Sequence, residues 1–261
     1  MFSAVLILLP PSEGKTAPRR GRPLDLATLS APRLTPARER VLDALVDLCS
    51  GDPAAAATVL EVPKTQLDLV QLNAAVRTAP TARADAVYAG VLYDALDLAT
   101  LSPAARRRAT SRLRVTSSLF GLVAPTDRIP AYRLSGDAVL PGLGTVAEVW
   151  RGALGPEVTD LVGDGLLVDL RSGMYAAFWR PAGLARVATV RVLHEVGGKR
   201  QVVSHFNKAT KGRIVRALLE DGARPRTPAR LAEALRDLGW DVEVLAGAGG
   251  AVQLDVVVRE L

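Results

Sequence analysis

The groups in this chain best suited to chemistry follow apolar runs. Val5–Leu9 leads directly into Pro10-Pro11-Ser12-Glu13-Gly14-Lys15-Thr16. That loop carries a hydroxyl, a carboxylate, a conformationally free backbone and an ammonium. In open α/β sheets, ligands bind beyond the carboxyl ends of strands. A Gly-Lys loop in that place reads as one wall of an anion site, and equally as a polar cover over a strand end. Three further apolar segments end in polar, glycine-containing stretches, at 116–121, 169–173 and 205–213. Brought together, the four ends make a basic cleft. Its anion-binding or nucleic-acid-binding candidates are Ser12, Lys15, Ser117, Ser118, Gly121, Arg133, Arg171, Ser172, Lys208, Lys211 and Arg213. The candidates for acid–base work are Ser12, Lys15, Tyr88, Ser118 and Asp169, with Lys15 or Lys208 placed to neutralise developing charge. A lysine buried among other cations has a depressed pKa and can serve as a base. There is no nucleophile–base–orienter triad to read.

The lysines inform because they are few. Of the five, Lys199, Lys208 and Lys211 fall within 13 positions and Lys15 lies in the opening loop. The net charge of +6 favours phosphate-bearing partners, DNA or a small molecule. Part of that charge reflects an arginine-rich composition, and a solvated face is the bland reading of Arg106, Arg107, Arg108 and Arg112. Two histidines and one cysteine cannot close a zinc site, so no metal and no cofactor is expected. Cys49 reads as a small buried hydrophobe, and His194 and His205 as structural histidines in strands.

These groups need elements to hold them. The chain is long enough for one large domain, and 49% of it is hydrophobic. The run before Leu9 is too short to span a bilayer and lacks the flanks of a signal peptide, which favours a cytoplasmic protein without membrane attachment. Residues 3–9 read as a buried strand and 10–36 as a proline-rich loop. Thr35 caps a helix to Leu48, and a second helix spans 64–79. Residues 85–96 read as a short strand and then a helix, 104–113 as a basic helix, and 114–118 as a strand entering a tight turn with exposed amides. An extended piece at 129–134, a helix at 145–162 and a strand at 166–173 follow. Strands at 187–193 and 201–206 flank Gly197-Gly198; helices at 214–220 and 228–238 and strands at 242–245 and 252–258 complete the chain. Asp169 interrupts an apolar strand and calls for a buried partner such as an arginine. The expected fold class is α/β, a single domain over 1–261 with a mixed sheet wrapped by helices, monomeric.

The order of these segments resembles the peroxide stress protein YaaA family, nearly end to end. The resemblance rests on Leu9 through Thr16, Val87-Tyr88-Ala89-Gly90, and Ser117 through Leu122 with Pro125, Asp127 and Tyr132-Arg133-Leu134. It continues through Trp150, Val168 through Ser172, Tyr175, and Ser204 through Lys208 with Lys211 and Gly212. It implies a mixed sheet with a positively charged cleft, survival of hydrogen peroxide by limiting iron-dependent damage, and DNA binding through a helix-hairpin-helix-like element. Ser118 stands where that hairpin commonly has its first glycine, and Phe120 stands where a tyrosine is usual. The resemblance thus points to a peroxide-stress protein that binds DNA non-specifically; an enzyme acting on a nucleotide, nucleobase or other small anion in the same cleft is the alternative.

Overall fold

A computed structural model describes residues 5–259, with the backbone alone at Lys64 and Ser204. Among them are the strands β1 (Val5–Leu9), β2 (Ala82–Arg83), β3 (Leu113–Ser117), β4 (Gly121–Val123), β5 (Arg128–Ile129), β6 (Val139–Leu140), β7 (Gly144–Thr145), β8 (Leu166–Asp169), β9 (Val187–Val196), β10 (Lys199–Gln201), β11 (Asp241–Ala246) and β12 (Val252–Val258). The helices are α1 (Thr35–Ser50), α2 (Pro53–Val59), α3 (Asp68–Ala74), α4 (Ala84–Val87), α5 (Val91–Leu96), α6 (Pro103–Arg112), α7 (Val146–Val162), α8 (Gly173–Ala176), α9 (Ser204–Asp221) and α10 (Pro228–Asp237).

Eight strands form one mixed sheet in the order β11-β12-β9-β8-β1-β3-β4, with β10 paired to β9. β1 lies parallel to β3 on one side and to β8 on the other, and β8 is parallel to β9. Every residue of β1 and β8 is buried, as expected of parallel strands covered on both faces. The helices supply that cover. α6 and α7 both reach β1; α6 packs with α9, and α7 with α1. The chain leaves β1 towards β3 and leaves β8 towards β9, in opposite directions. The gap between the carboxyl ends of β1 and β8 is therefore a topological switch point, where open α/β sheets admit ligands.

Four expected elements differ. Residues 3 and 4 of the first strand lie outside the described residues. Thr35 is the first residue of α1, because a 3-10 turn at Pro32–Leu34 runs into it. The helix expected over 64–79 breaks into a 3-10 turn and α3, and nothing local to the sequence explains its end at Ala74. The strand expected near 85 is the single turn α4, started where Ala84 N–H donates to Asp127 O at 2.7 Å. Only Tyr88 is extended, in an isolated antiparallel bridge to Lys15.

The largest difference is at 201–206. The hairpin stops at Gln201, and α9 begins at Ser204. Val202 and Val203 suggest strand, but apolar spacing at Phe206, Thr210, Ile214 and Leu218 is helical, and the last three are buried. His205, Lys208, Lys211 and Arg213 thus sit on the first turns of a long helix rather than in a strand or a strand-to-helix loop. His194 lies in β9.

Candidate functional site

The loop after β1 folds back on the segment after α4. Thr16 N–H donates to Val87 O at 2.9 Å, and Ala89 N–H donates to Ser12 Oγ at 3.2 Å. Ser12 Oγ in turn donates to Gly14 O at 2.6 Å, so this hydroxyl shapes the loop. The turn directs the Lys15 side chain inward. Its Nζ donates to Ser12 O at 2.8 Å and sits 4.1 Å from the centre of the Tyr132 ring and 5.8 Å from that of Tyr88. Burial, then the nearby Arg133 guanidinium, lower the Lys15 pKa to about 7, against a raising pull from Glu13.

All four tyrosines of the chain gather here. Tyr88 and Tyr93 stack with centroids 5.4 Å apart, and Tyr93 Oη donates to Pro10 O at 2.7 Å. Tyr88 Oη is 3.1 Å from Tyr132 Oη, which is 2.7 Å from Ser117 Oγ. Tyr175 is close enough to feel Tyr132 and Glu13, although burial is the main cause of its raised pKa. Burial likewise raises Tyr88 well above the usual phenol value. Ser117 Oγ accepts from Phe120 N–H at 2.9 Å. The Ser117, Tyr132 and Tyr88 hydroxyls form a buried chain in which either partner of each pair can donate. Tyr88 is one end of that chain and Ser117 the other.

The end of β8 supplies the opposite wall. Asp169 and Arg171 are joined by two side-chain hydrogen bonds, 2.9 and 2.7 Å long. Arg171 also donates to Tyr175 O and Trp179 O, so its charge is matched and four of its five N–H donors are engaged within the fold. Asp169 has the arginine partner its place in an apolar strand calls for. Ser172 is exposed at the start of α8. Lys211 reaches across from α9 and donates to Leu170 O at 3.0 Å; burial lowers its pKa to about 8 against the raising pull of Asp169. Two amines thus rest on backbone carbonyls beyond adjacent parallel strands. Arg133 reaches the same loop, with Nη1 3.3 Å from the exposed Glu13 carboxylate.

The remaining sequence candidates have other surroundings. Ser117, Ser118, Leu119 and Phe120 are fully buried. Ser118 Oγ donates to Leu134 O, and Trp150 Nε1 donates to Ser118 O. The buried Arg38 donates to Phe120 O and Leu122 O. The turn's amides therefore face the interior, not solvent as expected, because an arginine, a tryptophan and two serine hydroxyls anchor it. Gly121 has φ +72°, and a Cβ there would stand 2.6 Å from the Trp150 ring, so its role is close packing. Arg108 donates to the Leu219 and Glu220 carbonyls at the end of α9, and Arg112 to Ala223 O. Lys208 and Arg213 are exposed on α9 and Arg107 on α6. Among the described residues, no group of three or more His, Cys, Asp or Glu is placed to hold a metal ion. No helix there is long and apolar enough to cross a membrane.

Sequence reasoning missed Arg38 and did not count Tyr93, Tyr132 or Tyr175 among the site candidates, although the resemblance includes Tyr132 and Tyr175. The available signal was the scarcity of tyrosine, which marked Tyr88 and Tyr93 but not their convergence.

The fold and its strand-end cluster define a mixed-sheet α/β protein with aromatic and basic groups gathered at the switch point of its parallel strands. The family model described as "Peroxide stress protein YaaA" matches residues 5–244. A UPF0246 protein of Streptomyces coelicolor is 53% identical over 261 residues, covering 98% of this chain and 100% of the relative. A UPF0246 protein of Corynebacterium efficiens is 41% identical over 245 residues, 93% of this chain and 96% of its own. The chain belongs to the YaaA peroxide stress protein family.

Proposed function

We propose that this member of a peroxide-stress family works on a small anionic ligand bound at the carboxyl ends of β1 and β8, with Lys15 as the group that acts on it. The observation that carries this reading is the Lys15 amine, bound to a backbone carbonyl between tyrosine rings and lowered to about pKa 7. Such an amine titrates near neutrality and suits acid–base or charge-neutralising work. Lys211, on the adjacent strand end, is the second cation available to the ligand. The test is thermal stabilisation by phosphate, simple carboxylates and nucleotides. A rise in Tm that is lost in both Lys15→Ala and Lys211→Ala supports the site; the same rise in all three proteins rejects it.

A second reading is favoured by the exposed Lys208, Arg213 and Arg107, which have no hydrogen-bond or ion-pair partner among the described residues. They are available to DNA phosphates, as part of a basic cleft. In this reading the protein binds duplex DNA without reading its sequence and limits iron-dependent oxidative damage to it. If about five phosphates are neutralised, log K falls against log salt with a slope near −4.5. Affinity that ignores salt, or no binding at low salt, rejects this reading.

A further inference from the structure

We propose that Lys15 condenses with the carbonyl group of a small aldehyde or 2-oxo acid bearing a negative charge, forming an imine at the carboxyl ends of β1 and β8. This rests on the small-anion reading above and names its substrate class.

Four features support it. First, the amine has no carboxylate in salt-bridge contact among the described residues; its partners are the Ser12 and Glu13 carbonyls, at 2.8 and 3.4 Å. It can therefore lose a proton without stranding an opposite charge beside it. Burial and Arg133 favour that loss. Lys211 also rests on a carbonyl and is lowered by burial, to about 8, but there Asp169 pulls towards the ammonium form. Second, the Tyr132 and Tyr88 rings flank Nζ, and their faces stabilise the cation of a protonated imine as they do an ammonium. Third, Tyr88 Oη is one end of the hydroxyl chain that runs through Tyr132 to Ser117, and its proton is the one assigned to the oxygen that must leave. Fourth, among the described residues the Arg133 guanidinium has one ion-pair partner, Glu13, an exposed carboxylate on the Lys15 loop, while the Arg133 backbone is held by Asn73. A carboxylate on the ligand can take the place of Glu13, which puts the carbonyl carbon near Lys15.

The step balances without an oxidant or reductant. The Lys15 lone pair forms the C–N bond and the carbonyl oxygen takes up a proton, giving a carbinolamine. Its C–O bond then breaks with proton delivery from Tyr88, the nitrogen gives up its second proton, and Tyr88 is reprotonated. The products are the imine and one water, which holds both protons of the original amine.

The experiment treats the full chain with glyoxylate and cyanoborohydride at pH 7 and maps the reduced adducts by peptide mass spectrometry. Exposed Lys208 is the internal reference. Lys15 is expected to be labelled about tenfold or more over Lys208, and Tyr88→Phe to slow Lys15 labelling by about tenfold while leaving Lys208 unchanged. Lys15→Arg, which keeps a cation in the loop, is expected to lose the adduct. Labelling of Lys15 no faster than Lys208 overturns the proposal, as does Tyr88→Phe with wild-type labelling at Lys15. Oxalate, an anion with no aldehyde, separates the two levels. Oxalate stabilisation without selective labelling removes the imine and leaves the anion site; neither effect removes both.

Discussion

The Lys15 amine stands 4.1 Å from the centre of the Tyr132 ring, beneath a loop that hides it from most of the solvent. The ring face attracts an ammonium, whereas burial and Arg133 repel one, and the pKa falls from 10.5 to about 7. The consequence for stability has a definite sign. Between pH 7 and 10 the unfolded chain keeps a proton on Lys15 that the folded chain gives up, so stability from this group rises with pH. Wild type should therefore gain about 2 kcal/mol more than Lys15→Met between pH 7 and 9.5, a figure reduced for partial exposure. Urea denaturation at the two values checks it, and equal gains would refute it.

The hydroxyl chain predicts an order among three variants. Tyr88→Phe removes only the end of the chain and takes one hydrogen-bond partner from Tyr132. That should cost about 1 kcal/mol. Ser117→Ala removes the partner of both Tyr132 and the Phe120 amide in a fully buried place, and should cost about 2–3 kcal/mol. Ser12→Ala, at the rim, should fall below both. Chemical denaturation gives the order, and a Tyr88 variant worse than the Ser117 variant would contradict the two-partner role of Ser117.

Asp169 and Arg171 show how far the sequence could be read. A carboxylate inside an apolar strand demanded a partner, and an arginine two residues on was in reach. Burial of Arg171 removed it from the set of free cations, which required knowing that Trp179 and Tyr175 fold back over it. Strand ends at 10–16 and 169–173 were legible because apolar runs stop there. Their adjacency follows from strand order, which one-dimensional patterns do not encode. Tyr132 entered through the resemblance alone and not as a site candidate, because its neighbours read as extended chain while its contacts with Lys15, Tyr88 and Ser117 are long-range. The start of α9 was misplaced because β-branched Val202 and Val203 precede it.

The Asp169–Arg171 pair should be costly to break from one side. Asp169→Ala leaves a guanidinium that is 1% exposed without its counter-charge. A loss of about 3–5 kcal/mol is expected, with partial recovery in the double variant Asp169→Leu, Arg171→Met. Additive losses in the double variant would show that the two groups do not act as a pair.

Gly212 provides the sharpest test of how α9 is held. Replacing a helix-interior glycine by alanine ordinarily stabilises by about 1 kcal/mol. Gly152, exposed on α7 with nothing within 4 Å of where a methyl would stand, should behave that way. At Gly212 the added methyl would stand 2.3 Å from the Leu92 carbonyl oxygen and 3.0 Å from Ala95 Cβ, where α9 meets α5. The helix must move away from α5 to admit it, which should turn the gain into a loss of about 2–3 kcal/mol. Lys211 precedes this glycine and bonds Leu170 O, so the same shift should pull its amine off the end of β8. Gly212→Ala is therefore expected to lower Tm and to weaken oxalate stabilisation together, while Gly152→Ala raises Tm and leaves oxalate stabilisation unchanged. A stabilised Gly212→Ala protein with full ligand response would mean that the contact between α5 and α9 does not set the position of Lys211.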